Sequence, residues 1–140
     1  MIRECRDSDV SSILAIVNDA AEAYRGVIPA DCWQEPYMPE HELAEEIASG
    51  VEFLGFVDEP GVVVGVMGRQ TVGDVCLIRH AYVATARQGL GIGTALLEEI
   101  RAAAEHPLLV GTWAAASWAI GFYQRNGFHL VTPAEKNRLL

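Results

Sequence analysis

The sequence predicts an α/β fold, in which a mixed β-sheet carries helices on both faces within a single domain over residues 1–140. Segments with apolar residues at helical spacing alternate along the chain with short runs rich in β-branched and apolar residues. Two turn signals separate strand-like runs in the middle of the chain, which is typical of antiparallel hairpins. A later, continuously apolar run at 108–113 is typical of a central parallel strand.

The first half of the chain begins with a short strand and two helices. Residues 7–9 precede an apolar run at helical spacing, so they are expected to cap the first helix, and Gly50 is expected to end the second. Turn signals lie at 59–61 and 72–74. In chain order we predict a strand at 2–5, a helix from 10 that fades near 26, an irregular segment at 30–39, a helix at 40–49, and strands at 51–58 and 62–70.

The second half of the chain begins with a predicted strand at 75–83. Residues 95–104 are strong helix formers with apolar residues at helical spacing, and that helix is expected to end near His106. The remaining predicted elements are the parallel strand at 108–113, a helix that carries Phe122 and Tyr123, and a last strand that begins at 128–131.

A glycine-rich segment, Arg87-Gln88-Gly89-Leu90-Gly91-Ile92-Gly93-Thr94, lies between the fourth predicted strand and the third helix. The first amides of a helix have no intrahelical acceptor, and the helix dipole places positive charge beside them. Glycines leave the main chain open to a close approach. The segment therefore predicts a binding site for a phosphate or pyrophosphate group.

Three phosphate-binding motifs compete for this segment. A P-loop ends in Gly-Lys-Ser/Thr, but Lys136 is the only lysine, so that motif is excluded. A dinucleotide fingerprint needs a third glycine or alanine where Thr94 stands, which disfavours a general nucleotide-phosphate-binding domain. The pattern Q/R-x-x-G-x-G/A is satisfied by Gln88, Gly91 and Gly93.

A second motif, A-I-x-F-Y-x-x-x-G-F, is present at residues 119–128. The two motifs, in this order and at this separation, resemble the acetyl-CoA loop and the following helix of the GNAT (Gcn5-related) N-acetyltransferase superfamily. The resemblance covers 75–131, whereas residues 1–74 agree only in the order of elements. It implies the GNAT fold and an N-acetyltransferase that moves an acetyl group from acetyl-CoA to a primary amine of a small molecule or amino-acid-like acceptor, by direct attack in a ternary complex.

The resemblance also implies where acetyl-CoA binds. A gap between the fourth and fifth strands is expected to hold the pantetheine arm, against main-chain groups of Tyr82 and Val83. Ser117 is expected to supply a polar contact where the family often has asparagine. The pyrophosphate is assigned to the segment of Gln88, Gly89, Leu90, Gly91, Ile92, Gly93 and Thr94.

Tyr123 is the expected general acid, since the resemblance places the matching tyrosine near the sulfur of coenzyme A. A phenol with an ordinary pKa of about 10 is protonated at neutral pH and can donate to a leaving thiolate. His80 shares a strand face with Tyr82 by alternation, so it is the candidate base that takes the amine proton directly or through water. Glu35 and Glu42 are alternative bases.

Aromatic side chains are the candidates for the acceptor pocket. Tyr24, Trp33 and Tyr37 lie in or near the irregular segment that follows the first helix. Such side chains suit an acceptor with a ring or a cation. A small amine, an amino acid, an antibiotic and a protein N-terminus all remain open as acceptors.

The composition of the chain limits which binding partners, metal sites and cellular locations are expected. The formal net charge is −9, which disfavours nucleic acid and anionic membranes. Cys5, Cys32 and Cys76 show no paired spacing, so neither a disulfide framework nor a metal site is expected, and Cys76 is expected to be buried. The sequence has no signal-peptide pattern and no apolar run near the ~20 residues of a membrane span, so a cytoplasmic protein is expected.

The C-terminus departs from the GNAT pattern, which usually has a further antiparallel strand after the second motif. Only residues 132–140 remain here, so that strand is either missing or supplied by a partner chain, and an exposed edge would favour a homodimer. A non-catalytic acyl-CoA-binding sensor or regulatory module of the same fold is the alternative function. Tyr123 favours the enzyme, because a sensor needs no proton donor at the sulfur.

Overall fold

The computed structural model describes residues 1–59, 61–112 and 116–131. Within them one sheet has the strand order β1-β2-β3-β4-β5, in which the first four strands run antiparallel and β5 lies parallel to β4. The predicted mixed sheet is therefore confirmed. The strands are β1 (Ile2–Glu4), β2 (Glu52–Val57), β3 (Val63–Val72), β4 (Val75–Val83) and β5 (Leu108–Val110).

Helices cover both faces of this sheet, as predicted. They are α1 (Val10–Ala20), α2 (Glu40–Ala48), α3 (Ile92–Ala103) and α4 (Ser117–Arg125). Apolar side chains of α1 and α2, including Ile13, Val17 and Leu43, form one buried cluster. Side chains of α3 and α4, including Leu96, Ile100 and Tyr123, form a second cluster. None of the helices in the described ranges is long and apolar enough to span a bilayer.

The C-terminal elements differ from the prediction. β5 ends at Val110, and residues 128–131 form no strand, so the strand predicted to begin there is wrong. A strand exists only with a hydrogen-bonded neighbour, and no described residue pairs with this segment. Residues 132–140 lie outside the described part of the chain, so the predictions of a missing or partner-supplied strand and of a homodimer stay predictions. Cys76 is buried, as expected.

Asp9 stands at the N-terminal cap position of α1, as predicted, but its side chain makes no capping hydrogen bond to that helix. Its carboxylate accepts hydrogen bonds from Arg3 Nη1 and Nη2 at 2.8 and 3.0 Å and from the Arg6 amide at 2.8 Å. The side chain is almost fully buried beside β1. These hydrogen bonds lower the pKa of Asp9 from 3.8 to about 2. Asp9 therefore fastens β1 to the start of α1.

Replacing Asp9 by asparagine is expected to lower the free energy of unfolding by about 2 kcal/mol at neutral pH. The folded-state pKa is depressed, so this stability is present above the ordinary pKa of 3.8 and is lost as the pH falls towards 2. Urea unfolding of the wild type and of Asp9→Asn at several pH values measures this difference in the free energy of unfolding. Asp7→Asn, at an exposed position of the same turn, is the control. Equal stabilities of Asp9→Asn and wild type at neutral pH would contradict the assignment.

Candidate active site

The parallel strands β4 and β5 separate part-way along their length. They pair only between residues 76–78 and 108–110, and β4 then runs on to Val83 with no described partner on that side. The Ala84 amide donates to the Val64 carbonyl at 2.9 Å. Because main-chain groups alternate in direction along a strand, those of Val83 face away from β3 and into the gap. Those of Tyr82 face β3 instead, so the main-chain contact predicted for Tyr82 is wrong. The gap that the resemblance implied is present.

The glycine-rich loop closes one end of this gap. Gly89 and Gly91 have φ values of 81° and 79°, which L-residues with a side chain rarely adopt. The first hydrogen bond of α3 runs from the Ala95 amide to the Gly91 carbonyl, and the amides from Gly89 to Thr94 donate to no described residue. A Cβ on Gly91 would meet nothing within 4 Å, so the space beside the main chain of Gly91 is open. The loop has the properties of an anion site.

The side chains of the loop support this arrangement. Gln88 Nε2 donates to the Val83 carbonyl at 3.3 Å and so ties the loop to the end of β4. Ile92 is buried in the cluster formed by side chains of α3 and α4, whereas the side chain of Leu90 is 68% exposed. A Cβ on Gly93 would lie 3.3 Å from Cζ of Phe122, so the glycine lets α4 pack closely on α3.

A cavity of about 390 Å³ occupies the gap, and we name it the α4 cavity. Tyr123 of α4 lies in its wall together with side chains from β4 and the loop. Ser117 begins α4 but is exposed and does not line the cavity. Residues of the wall include Tyr24, Met67, Tyr82, Val83, Gln88, Gly93, Trp118, Phe122 and Tyr123.

Tyr123 is held in this wall by other aromatic rings. It makes edge-to-face contacts with Phe122 and Phe128, whose ring centroids lie 5.0 and 5.4 Å away. The side chain is buried, and burial raises the pKa of its hydroxyl. The phenol therefore remains protonated across the physiological pH range and is available as a proton donor.

A second cavity, of about 540 Å³, lies beside residues 77–80 of β4, and we name it the tyrosine cavity. Tyr24 and Tyr82 belong to the walls of both cavities. Their rings meet edge to face at 6.3 Å, and burial raises the pKa of both hydroxyls. The two cavities therefore meet at this pair. The other wall residues are Tyr37, Leu77, Ile78, Arg79, His80, Gly111 and Thr112.

His80 reaches the tyrosine cavity through a bulge in β4. The register moves from Val66 opposite Tyr82 to Gly68 opposite Arg79, so β4 contains one extra residue there. His80 has a φ of 53°, the one positive value recorded for a residue other than glycine in the described ranges. Although alternation is broken at the bulge, His80 stacks on Phe53 and Tyr82 packs against the cluster that contains Phe53, so both lie on one face of the sheet, as predicted.

The carboxylate beside His80 is Glu46 of α2, which the sequence analysis missed. Oε2 of Glu46 lies 2.6 Å from Nε2 of His80, and Oε1 lies 3.4 Å from Nη2 of Arg79. Glu42, an alternative base, instead accepts a hydrogen bond from Gln34 and does not line the tyrosine cavity. No pattern in the sequence links position 46 to position 80, because the contact depends on how α2 packs on the sheet.

The predicted acceptor residues are only partly brought together. Tyr24 and Tyr37 line the tyrosine cavity, with ring centroids 5.9 Å apart. The ring of Trp33 packs against the ring of Tyr37, with ring centroids 5.4 Å apart. Trp33 lines neither cavity. Arg25 lies 4.5 Å from the centre of the Trp33 ring and is paired with Glu35, the other alternative base. Hydrogen bonds from Trp33 and Arg25 lower the pKa of Glu35.

Comparison with known proteins decides the family. A family model described as an acetyltransferase (GNAT) domain matches residues 50–130, which is more than half of the chain. This chain belongs to the GNAT acetyltransferase family. The matched GNAT region contains β2 to α4, so it includes the loop, the gap and Tyr123.

Solved structures share the GNAT fold along almost the whole chain. The PaiA N-acetyltransferase of Thermoplasma acidophilum, solved with coenzyme A, has a TM-score of 0.76 at 18% identity over 94% of this chain and 90% of that one. A GNAT acetyltransferase of Staphylococcus aureus has 0.73 at 18% over 96% and 86%. The ribosomal-protein-S18-alanine N-acetyltransferase of Escherichia coli has 0.71 at 22% over 94% and 79%. At these identities the likeness concerns the fold.

Proposed function

We propose that this protein transfers an acetyl group from acetyl-CoA to a primary amine of a small molecule or amino-acid-like acceptor. The observation that carries the proposal is the meeting of the α4 cavity and the tyrosine cavity at Tyr24 and Tyr82. One cavity has a candidate acid, Tyr123, in its wall, and the other has a candidate base, His80. An acyl donor in the first cavity and an amine in the second would approach each other at this pair of tyrosines.

The glycine-rich loop and the first cavity fit an acyl-CoA. Unpaired amides from Gly89 to Thr94, with open space beside Gly91, suit a pyrophosphate. The amide of Val83 faces the gap, where it can hydrogen-bond the carbonyl oxygen of a thioester. Because the wall is mostly apolar, such a hydrogen bond is stronger there than in water.

Acetyl-CoA supplies an activated acyl group, and the protein supplies the positions and the protons. The C–N bond forms as the acceptor nitrogen attacks the carbonyl carbon, and the C–S bond breaks. His80 takes the proton that the nitrogen loses, and Tyr123 gives a proton to the departing thiolate. Both substrates bind before chemistry, so the path runs through a ternary complex with no acyl-enzyme.

The acceptor that fits the tyrosine cavity is small. A volume of about 540 Å³ lies within the range of small-molecule sites. Tyr24, Tyr37 and Tyr82 offer ring faces and hydroxyls, while the cationic Arg79 lies at the same wall. An amine that carries a ring or a carboxylate matches these groups.

A thiol-release assay with acetyl-CoA and a panel of primary amines tests the proposed function. The panel contains aliphatic amines, aromatic amines and amino acids, and mass spectrometry identifies the acetylated product. We expect turnover with at least one small amine. When both substrate concentrations are varied, double-reciprocal plots of the initial rate should give intersecting lines. Parallel lines in these plots would contradict the ternary complex. Binding of acetyl-CoA without turnover of any amine would favour the sensor or regulatory module instead.

A further inference from the structure

The bulge in β4 holds His80 in an unfavourable backbone conformation. A φ of 53° lies in the left-handed region, which is unfavourable for a residue with a side chain because its Cβ crowds the following carbonyl oxygen. Such a conformation persists only where the surrounding structure fixes it. The ring of His80 stacks on Phe53 of β2, with centroids 6.2 Å apart and planes inclined by 23°. The bulge and this stacking direct the imidazole towards α2.

The imidazole of His80 contacts the carboxylate of Glu46 on α2. Nε2 of His80 and Oε2 of Glu46 are 2.6 Å apart and sealed from water, and neither atom has a hydrogen bond of regular geometry in the described residues. Two unprotonated atoms at this distance would repel each other, so one of the two groups carries a proton at this contact. Nδ1 of the same ring is not sealed in this way, and His80 forms part of the tyrosine cavity.

The groups around the pair favour a charged Glu46. Burial raises the pKa of Glu46, but hydrogen bonds and charges from His80 and Arg79 outweigh it and leave the pKa below its ordinary value. Arg79 and Tyr82 of β4, and Tyr24 and Tyr37 from the segment after α1, are the other titratable side chains at this cavity. The carboxylate is the acceptor in the pair, so the proton belongs to the imidazole.

We propose that Glu46 is a positioning residue, which holds His80 with its proton on Nε2 and leaves the lone pair of Nδ1 for the proton of the acceptor amine. This inference rests on the proposed function. A carboxylate that accepts from one ring nitrogen fixes the tautomer and the ring orientation, and it stabilises the imidazolium formed after proton transfer. The proton moves from the acceptor nitrogen to Nδ1, and Glu46 itself stays ionised.

The tautomer of His80 can be measured without turnover. Nitrogen-15 NMR of the imidazole rings distinguishes protonated Nε2 from protonated Nδ1, and a His80→Gln variant assigns the signals among the four histidines. We expect the Nε2-protonated form in wild type and a mixture, or the other form, in Glu46→Ala. Glu45→Ala is the matched control, because Glu45 is an exposed glutamate on the same helix. Thermal unfolding checks that each variant folds, and Glu46→Gln provides a variant of nearly unchanged volume.

Kinetics separates positioning from a merely structural role. Glu46→Ala is expected to lower kcat about tenfold and to change the KM for the amine less than about twofold, while Glu45→Ala changes neither. The same His80 tautomer in wild type and Glu46→Ala would overturn the inference. Absence of turnover in wild type with every amine would overturn the proposed function, while the tautomer still decides whether Glu46 positions His80.

Discussion

Tyr123→Phe is expected to lower kcat about 100-fold or more, because general acid catalysis contributes a factor of roughly 10²–10⁴ to the reaction rate. The KM for acetyl-CoA is expected to stay within about twofold of the wild-type value. Phenylalanine keeps the ring contacts with Phe122 and Phe128 and removes only the hydroxyl. The thiolate then leaves without a proton. Burial, which raises the pKa of Tyr123, also disfavours a bare thiolate, so the lost proton matters more there than in water.

Steady-state kinetics of Tyr123→Phe with both substrates varied measures this effect. Tyr82→Phe is the comparison, since Tyr82 is likewise a tyrosine whose pKa is raised by burial, but its hydroxyl gives no proton in the proposed reaction. Its kcat should fall less than about threefold. If kcat were unchanged in Tyr123→Phe, Tyr123 would have no part in the chemistry. Equal losses in the two variants would assign the effect to the cavity wall rather than to a specific proton.

Gly91→Val is expected to weaken acetyl-CoA binding about 100-fold. The φ of 79° is strained for valine, and the new side chain would occupy the open space beside the main chain of Gly91, where the proposed pyrophosphate approaches the loop. Loss of one hydrogen bond to a charged group costs about 1.5–3 kcal/mol, and every 1.4 kcal/mol is a factor of ten in affinity. Calorimetric titration with acetyl-CoA measures the change.

Gly73→Val separates backbone strain from loss of the binding site. Gly73 lies in the turn between β3 and β4 with a φ of 59°, and a Cβ there also meets nothing within 4 Å. Both variants are therefore expected to lose stability, but only Gly91→Val should lose affinity. Unchanged affinity in Gly91→Val would mean that the loop is a structural turn. Equal losses of affinity would assign the effect to instability.

The elements with strong local signals could be predicted from the sequence. β4 lies at the predicted residues 75–83, because a turn signal, β-branched residues and the glycine loop mark its two ends. The loop amides were predicted to be free because a glycine-rich turn that opens a helix leaves them so. The GNAT family was predicted from two short motifs at a fixed order, and the family model confirms it.

The features that depend on distant parts of the chain could not be predicted. The pairing of Glu46 with His80 joins α2 to a bulge in β4, and neither the bulge nor the rotation of α2 has a local pattern. Trp33 looked like a pocket residue by its type, yet Arg25 and Tyr37 hold it away from both cavities. The strand predicted to begin at 128–131 has no partner strand in the described part of the chain, and no local pattern shows whether a partner is present.

The central claim is that the loop and the gap between β4 and β5 bind an acyl-CoA. Calorimetric titration of the protein with acetyl-CoA, coenzyme A and NAD tests it most directly. The account predicts that both coenzyme A species bind at one site per chain and that NAD does not bind, because the loop lacks the third residue of a dinucleotide fingerprint. If neither coenzyme A species bound, the open amides from Gly89 to Thr94 would be only the start of a helix, and the proposed acetyl transfer would be contradicted.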